Sequence, residues 1–283
     1  MKRSRRAWTL LGFALVCALR THAEARRIVS LAPSVTETLF AVGAGGDVVG
    51  TTDLSDFPAA AQKIDRVGSY MQPNVEAVVA HRPDVVIAVP SPGNRESVES
   101  IGALGIPVVI VEEGPAVADV LQSIRRIAEQ AGKAEEGRAL ASRMHDDIER
   151  VRGRAASLPR KRALMVVGQN PFVGVGDGTL LDELLRDAGA DNVAAGLGRW
   201  PRLSVEYVIR SDPDIIIDSS MGDEASAGAS FYRDLALRAV REGRLYAIRL
   251  DEMLRPGPRL ADGLVKLAEI IHPDAFGRPG SAR

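Results

Sequence analysis

Cysteine, aromatic residues and long apolar runs are all scarce in this sequence. Its 283 residues include one cysteine, Cys17, which excludes a disulfide within the chain and leaves no thiol nucleophile in the part that follows. Aromatic residues make up only 4% of the sequence, so each one can be considered individually. The apolar run at residues 7–19 is too short to span a bilayer comfortably, and no other run approaches the required length.

The motifs of common catalytic sites are missing as well. No Gly-x-Ser-x-Gly elbow occurs, and the glycine-rich run at residues 174–178 lacks the Lys-Ser/Thr pair of a P-loop. His81, His145 and His272 neighbour neither one another nor a metal-spaced carboxylate, so we predict structural surface positions for them. We expect no catalytic residues, no resident cofactor and no metal site, and a secreted enzyme is kept only as an alternative.

The first 25 residues have the features of a secretory signal peptide. A basic segment precedes the apolar run, and Ala23-Glu24-Ala25 is an Ala-x-Ala cleavage site. Val16 stands before Cys17, where a lipoprotein would have a small residue, so the sequence favours simple cleavage over lipidation. Cleavage would leave 31 of the 36 basic and 36 of the 37 acidic side chains, a net charge of −5. That charge gives no support for a nucleic-acid or anionic-membrane partner.

Short apolar strands alternate with helices on both sides of a strandless middle section. The predicted strands cover residues 27–31, 47–51, 84–89, 107–111, 162–167, 214–218 and 244–249. A continuous apolar run such as residues 84–89 is typical of a parallel strand that is covered on both faces. Among the predicted helices, one begins with a capping box at Ser34 and Glu37, and another covers residues 231–242. The pattern predicts an α/β protein with two doubly wound lobes.

The strandless middle section predicts a connector between these lobes. Residues 134–156 form one long predicted helix, on which Leu140, Met144, Ile148 and Val151 make a single apolar stripe. Such a helix spans about 35 Å, the dimension of a small domain. We therefore divide the chain into a signal peptide (1–25), an N-terminal lobe (26–132), a rigid connector helix (133–157) and a C-terminal lobe (158–283).

One unit occurs twice in the chain, at a constant offset of 130 residues. The first copy covers residues 70–87 and the second covers residues 200–217. Each copy has an aromatic residue, a helix-capping Asn or Ser, a Glu at the second helical position, a Pro-Asp pair and a β-branched strand. Two copies at one offset indicate two similar half-molecules.

The aromatic residues of the two copies, Tyr70 and Trp200, lie in loops beside Pro and Gly. Packing into the core would explain either one alone. Aromatic residues in such loops are more typical of a cleft, because open α/β sheets bind ligands at the carboxyl ends of their strands. The pair predicts a site for a large, flat and largely apolar ligand.

The glutamates of the two copies, Glu76 and Glu206, lie in the first turn of their helices. Acidic side chains complement the helix dipole there, which would be a sufficient reason for either one. Their occurrence at matching places in both halves favours contact with a partner.

Four segments of the chain resemble the periplasmic binding proteins for cobalamin, haem and ferric siderophores, which serve ATP-driven importers. They are residues 27–37, 53–58 and 67–76 and the Arg-Pro-Asp at residues 82–84, and the resemblance extends from residue 27 to about 272. It implies a class III fold, in which one long helix joins two α/β lobes and the ligand lies between them. It also implies a monomer in the periplasm, whose Glu76 and Glu206 pair with arginines of a permease dimer in the inner membrane.

Within this family the chain looks most similar to the cobalamin-binding branch. The segment from Trp200 to Glu206 matches a Trp-Pro-x-x-Ser-x-Glu motif of that branch, and Tyr70 stands where a tryptophan is common. The loop ending at Phe172 resembles a contact loop, and Asp251 matches a position that can accept hydrogen bonds from corrin amides. Leu54 stands where an aromatic residue is common, so that side of the cleft is less stacked. The implied ligand is cobalamin.

Haem and a ferric siderophore are the alternatives that the resemblance leaves open. Tyr70 could ligate haem iron, as a tyrosine does in haem-binding members of the family, although no histidine is placed to help. Positive charge near the cleft would suit propionates or an anionic siderophore, and four arginines could supply it: Arg199, Arg202, Arg255 and Arg259.

Overall fold

The computed structural model describes residues 26–220, 232 and 235–277. The predicted signal peptide lies outside the described residues, as do residues 231, 233 and 234 of the helix predicted over 231–242. Among the described helices, none is both long and apolar enough to cross a bilayer.

A four-stranded parallel sheet forms the first half of the chain, with the strand order β2-β1-β3-β4. Its strands are β1 (Ile28–Ser30), β2 (Val48–Thr51), β3 (Val85–Ala88) and β4 (Val108–Ile110). The helices between them are α1 (Pro33–Ala41), α2 (Val75–Ala80) and α3 (Arg95–Ala103), with short 3-10 turns at Gly45–Asp47 and Ala59–Lys63. Two helices follow without an intervening strand, α4 (Val117–Gln130) and α5 (Ala134–Ala155).

A five-stranded sheet forms the second half. Its strands are β5 (Lys161–Gln169), β6 (Phe172–Gly174), β7 (Ala190–Asn192), β8 (Ile215–Asp218) and β9 (Leu245–Ala247). Strand β5 pairs in parallel with β7 and β8, and β8 pairs in parallel with β9, whereas β6 folds back antiparallel on β5. The helices of this half are α6 (Leu180–Asp187), α7 (Val205–Ser211), α8 (Arg238–Arg241), α9 (Asp251–Leu254), α10 (Leu260–Ile271) and α11 (Pro273–Phe276).

The central strands are covered on both faces, which confirms the α/β class with parallel sheets. All four residues of β3 are buried, and so are all four of β8. Alternate residues of β3 join different core clusters: Val85 and Ile87 join one, and Val86 and Ala88 join another. Successive side chains of a strand point to opposite faces, so each face of the sheet carries its own layer of apolar packing.

Helices α4 and α5 pack on each other between the two sheets. The predicted stripe on α5 is buried at Met144, Ile148 and Val151, while Leu140 is partly buried. Helix α4 is shared: residues 117–124 contribute to the core cluster of the second sheet, and residues 127–131 contribute to that of the first. The connection is therefore a packed pair of helices, which stiffens it beyond what α5 alone would provide. The domain boundaries at residues 132 and 157 stay predictions.

The capping box predicted at Ser34 and Glu37 is wrong. Helix α1 begins at Pro33, and its N-cap residue, Ala32, makes no side-chain capping bond. The Ser34 hydroxyl instead donates to Glu113 Oε1 over 2.5 Å, and Glu37 accepts two hydrogen bonds from Arg259 at 2.6 and 2.8 Å. Partners that are distant in the sequence thus replaced the local ones, because a buried carboxylate gains more from a bidentate arginine than from a backbone N–H.

His272 contradicts the prediction of surface histidines. His145 is exposed and His81 is partly exposed, but His272 is buried at the junction between α10 and α11. Burial lowers the pKa of the His272 imidazole, because the charged form loses its solvation. Its ring is accommodated by Gly189, where a Cβ would lie 2.5 Å from His272 Nε2.

The duplicated unit is present in both halves. Asn74 Oδ1 accepts a hydrogen bond from the backbone N–H of Ala77, and Ser204 Oγ accepts one from that of Tyr207. Asp84 and Asp214, the acids of the two Pro-Asp pairs, each accept a backbone N–H at the start of a first strand, from Arg27 at 2.7 Å and from Arg162 at 2.9 Å. The residues before the two prolines, Arg82 and Asp212, both have positive φ. The two copies thus share their hydrogen bonds as well as their sequence pattern.

Candidate functional site

Two adjoining cavities form a cleft between the sheets. The first has a volume of about 370 Å³ and the second about 230 Å³. They share Glu113, Leu254 and Pro256 in their linings. The first cavity is also lined by Ser34, Leu54, Tyr70, Arg249, Asp251 and Arg255, and the second by Arg199 and Trp200.

Both sheets supply the walls of this cleft at the carboxyl ends of their strands. Ser34 follows β1, and Glu113 follows β4, so both lie at the same edge of the parallel first sheet. Asp251 and Leu254 belong to α9, which follows β9 of the second sheet. Ligands of open α/β sheets bind outside this edge, so the cleft has the expected location for a binding site.

Tyr70 lines the first cavity, and a hydrogen bond of its hydroxyl group fixes the position of its side chain. Its hydroxyl donates a hydrogen bond to the carbonyl oxygen of Pro90 over 3.1 Å. Burial raises the pKa of the Tyr70 phenol, and the negative charge of Glu113 raises it further. The phenol is therefore protonated at neutral pH in the ligand-free cleft.

Trp200 lines the second cavity with half of its surface, 51%, exposed. The loop that carries it is fixed by backbone contacts, since the N–H of Gly176 donates to the carbonyl oxygen of Arg199 over 2.9 Å. A Cβ on Gly176 would lie 1.7 Å from the carbonyl oxygen of Gly198, so only glycine permits this approach. The fold thus brings Tyr70 and Trp200, 130 residues apart, to adjoining parts of one cleft.

Leu54 and Asp251 also lie in the first cavity. Leu54 is a strongly exposed apolar side chain there. The Asp251 carboxylate is partly exposed and accepts hydrogen bonds from Arg249 at 3.0 and 3.4 Å. Its oxygens retain acceptor capacity toward the cavity, because a carboxylate offers about four lone-pair sites.

Phe172 is not brought into either cavity lining. It begins β6, which pairs with β5, where the sequence predicted only a loop. Its ring packs against Tyr232 with centroids 6.2 Å apart, at the edge of the core cluster on one face of the second sheet. An apolar side chain in a hairpin follows the face of its strand, and the face of Phe172 is the one that covers this core.

The positive charge expected near the cleft is reduced by ion pairs. Arg259 forms its bidentate pair with Glu37 and stacks over the Phe57 ring at 4.1 Å, and Arg255 contacts Asp56 at 2.5 Å. All of these partners lie in the first half of the chain, so the pairs link the halves on one side of the cleft. Of the remaining two arginines, Arg199 lines the second cavity and Arg202 is exposed without lining either cavity.

Glu76 and Glu206 are both exposed, each at the second residue of its helix. The backbone N–H of Glu206 and the hydroxyl of Ser204 lower the pKa of the Glu206 carboxyl by hydrogen bonding. Neither glutamate lines the cleft. Their exposure agrees equally with a helix-dipole role and with contact to a partner.

Ser34 and Glu113 were missed by the interpretation of the sequence. The signal that could have identified Glu113 is its position two residues after the end of the strand predicted at residues 107–111, at the binding edge of a parallel sheet. Within the described ranges, no group of three or more His, Cys, Asp or Glu side chains is arranged to hold a metal ion.

Comparison with known sequences finds relatives over most of the chain. A sequence model of the family described as "Periplasmic binding protein" matches residues 28–251. An uncharacterized ABC transporter substrate-binding lipoprotein of Bacillus subtilis is 32% identical over 261 residues, which cover 89% of this chain and 82% of that protein. A vitamin B12-binding protein of Pectobacterium carotovorum is 26% identical over 250 residues, which cover 87% of this chain and 88% of that protein.

Solved structures with a similar fold carry the names of two different ligands. The apo form of a periplasmic heme-binding protein from Roseiflexus has a TM-score of 0.80 at 27% identity, covering 89% of this chain and 99% of that one. The periplasmic vitamin B12-binding protein of Vibrio cholerae has a TM-score of 0.76 at 25% identity, covering 87% and 96%. The fold is therefore common to both groups, and the ligand has to be argued from the side chains of the cleft.

Proposed function

Because the chain belongs to the periplasmic binding protein family, we propose that it captures a corrinoid in the cleft and delivers it to an ABC importer. The polar lining of the cleft carries this proposal. Asp251 and Glu113 offer acceptor oxygens to the cleft. The two arginines that line the first cavity, Arg249 and Arg255, are paired with Asp251 and Asp56. A corrinoid has amide N–H groups around its macrocycle, so such a lining suits it better than it suits a ring with carboxylates. Relatives named as vitamin B12-binding proteins support the same choice.

We also propose where the protein is located and which partner it has. It acts outside the cytoplasm, in the periplasm, after cleavage of residues 1–25. Its partner is a permease dimer in the inner membrane, and it works as a monomer by binding alone, without catalysis. The two lobes (26–132 and 158–283) hold the ligand between them, and the connector (133–157) separates them.

A small movement between the lobes accompanies binding in this proposal. Helix α4 packs into the cores of both sheets, and the pairs of Arg259 with Glu37 and of Arg255 with Asp56 join the halves. Shared cores resist shear, because packed interiors are dense and deform little. The ligand therefore enters a cleft that is largely formed beforehand, which lowers the ordering cost of binding.

Cyanocobalamin should quench the fluorescence of the purified protein without residues 1–25 at micromolar concentration. The chain has two tryptophans, and Trp8 lies in the predicted signal peptide, so the emission comes from Trp200.

Calorimetry should show that Trp200→Ala weakens binding of cyanocobalamin by about tenfold or more, because a stacked aromatic anchor is lost. Tyr246→Ala, which removes a ring that lines neither cavity, is the control. If cyanocobalamin causes neither quenching nor a measurable heat of binding in the parent protein, the corrinoid proposal is refuted.

Haem is the second candidate ligand, because several solved relatives are named as heme-binding proteins. If haem binds through Tyr70, added hemin should give a tyrosinate–iron absorption band that Tyr70→Phe abolishes. Iron would have to displace the hydrogen bond of the Tyr70 hydroxyl to Pro90, and no histidine among the described residues lines either cavity to supply a second ligand, so we expect no such band near neutral pH. A band in the parent protein that disappears in Tyr70→Phe would favour haem over the corrinoid.

A further inference from the structure

Glu113 occupies the junction of the two cavities. It lines both of them, together with Leu254 and Pro256. Tyr70 lines only the first cavity, and Trp200 lines only the second. A ligand that contacts both rings therefore spans the junction that Glu113, Leu254 and Pro256 line.

The Glu113 carboxyl is held at the beginning of a helix. Ser34, in the first turn of α1, donates its hydroxyl proton to Glu113 Oε1 over 2.5 Å. This bond fixes the position of one carboxylate oxygen of Glu113, while the carboxylate retains further lone pairs that can accept hydrogen bonds from a ligand.

The surroundings of Glu113 leave its charge poorly compensated. Its side chain is exposed to solvent in the cleft, and partial desolvation by the surrounding protein atoms raises the pKa of the Glu113 carboxyl. Of the cationic side chains in the first cavity, Arg249 pairs with Asp251 and Arg255 pairs with Asp56. Tyr70 contributes a protonated phenol in the first cavity, and Arg199 is the cation that lines the second.

A ligand that covers Glu113 removes its carboxylate from water. A buried carboxylate then needs a hydrogen-bond donor, since an unpaired buried charge is costly. An amide N–H of the ligand supplies that donor, whereas a ligand carboxylate adds a second negative charge at short distance.

We propose that Glu113 determines which ligand edge the cleft accepts, by binding neutral amide N–H groups and rejecting carboxylates. This inference rests on the proposed function, in that the ligand is a tetrapyrrole-like macrocycle. Asp251 lies in the first cavity beside Arg249, but Glu113 reaches both cavities and lacks an arginine pair among the described residues. The discrimination between amide and carboxylate is therefore assigned to Glu113.

The test measures dissociation constants by calorimetry for three probes: cyanocobalamin, a cyanocobalamin monocarboxylic acid in which one peripheral amide is hydrolysed, and hemin. The parent protein should bind the monocarboxylic acid about tenfold more weakly than cyanocobalamin, the effect of one unfavourable charge pair. Glu113→Gln keeps the size of the side chain and removes the charge, so it should reduce this ratio to about twofold. It should also tighten hemin binding by about tenfold.

Glu112→Gln is the matched control. It removes the same charge from the neighbouring residue, whose side chain is exposed and lines neither cavity of the cleft. It should leave all three affinities as they are in the parent protein. Thermal melting of each variant checks that the fold is retained.

The outcomes for Glu113 and for the proposed function are separable. If the parent protein binds cyanocobalamin but Glu113→Gln leaves both the ratio and the hemin affinity unchanged, the role of Glu113 is refuted and the corrinoid proposal stands. If the parent protein binds hemin alone, the corrinoid proposal fails, and Glu113 is then judged by whether Glu113→Gln tightens hemin binding.

Discussion

Replacing Glu76 and Glu206 together by alanine should abolish uptake of the ligand by cells. Affinity of the purified variant for the ligand should stay within about twofold of the parent protein, because neither glutamate lines the cleft. The measurement pairs calorimetry on purified protein with accumulation of labelled cyanocobalamin in cells whose own copy of the gene is replaced. The expected result is normal binding and no transport.

The reason lies in the geometry of the duplicated unit. Each glutamate is exposed at the second residue of a helix, and the two helices begin with equivalent caps, Asn74 and Ser204. A partner built from two similar subunits can contact two such helices in the same way. Arginines of that partner would form charge-assisted hydrogen bonds with both carboxylates. Without these two contacts the protein would no longer be held in the correct orientation on the permease.

Glu96→Ala combined with Glu135→Ala is the matched control for this experiment. Both residues are exposed glutamates at the second position of a helix, α3 and α5, outside the duplicated unit. The control therefore loses the same two charges and the same dipole interactions. Transport should persist in this control variant. Equal transport by the two double variants would show that Glu76 and Glu206 only stabilise their helices and do not contact a partner.

Replacing Arg259 by methionine should destabilise the protein by about 3 kcal/mol, because it leaves the Glu37 carboxylate buried without its partner. Glu37 is only 3% exposed, and both of its oxygens accept hydrogen bonds from Arg259. The loss should appear as a lower midpoint of unfolding in urea at pH 7. Addition of Glu37→Leu to Arg259→Met should recover most of that loss, since two apolar side chains can replace a buried pair.

The pair of Arg255 with Asp56 provides the contrast. The Asp56 side chain is 49% exposed, although that of Arg255 is only 14% exposed. Asparagine keeps an acceptor oxygen for the Arg255 guanidinium, so Asp56→Asn should cost no more than about 1 kcal/mol. Equal losses in Arg259→Met and Asp56→Asn would show that burial does not set the strength of these contacts. The comparison also tests whether the link between the halves resides mainly in Glu37 and Arg259.

The local units of this protein could be predicted from its sequence. The helices capped by Asn74 and Ser204 and the strands that follow them are present where the repeat predicted them. Their caps bond to an N–H three residues away, and their strands are short runs of apolar residues, so the information lies within each segment. The family inferred from its motifs is confirmed by a match over residues 28–251.

The site could be predicted only in part. Tyr70 and Trp200 do reach one cleft, because loops at the carboxyl edges of parallel sheets converge there. Phe172 lines neither cavity, because a second strand, β6, places its ring against the core beside Tyr232. Arg255 and Arg259 were expected to add charge to the cleft, but a charge is available to a ligand only if no nearer partner neutralises it.

The sequence by itself determined the alternation of strands and helices, the duplicated unit and the family. Only the tertiary structure decided that Glu37 pairs with Arg259, 222 residues away, and that Ser34 holds Glu113 between the two cavities. The physical reason is that helix and strand formation depends on neighbours along the chain. The partner of a buried charge, in contrast, is whichever donor the packing brings within about 3 Å, and packing joins residues that no local pattern relates.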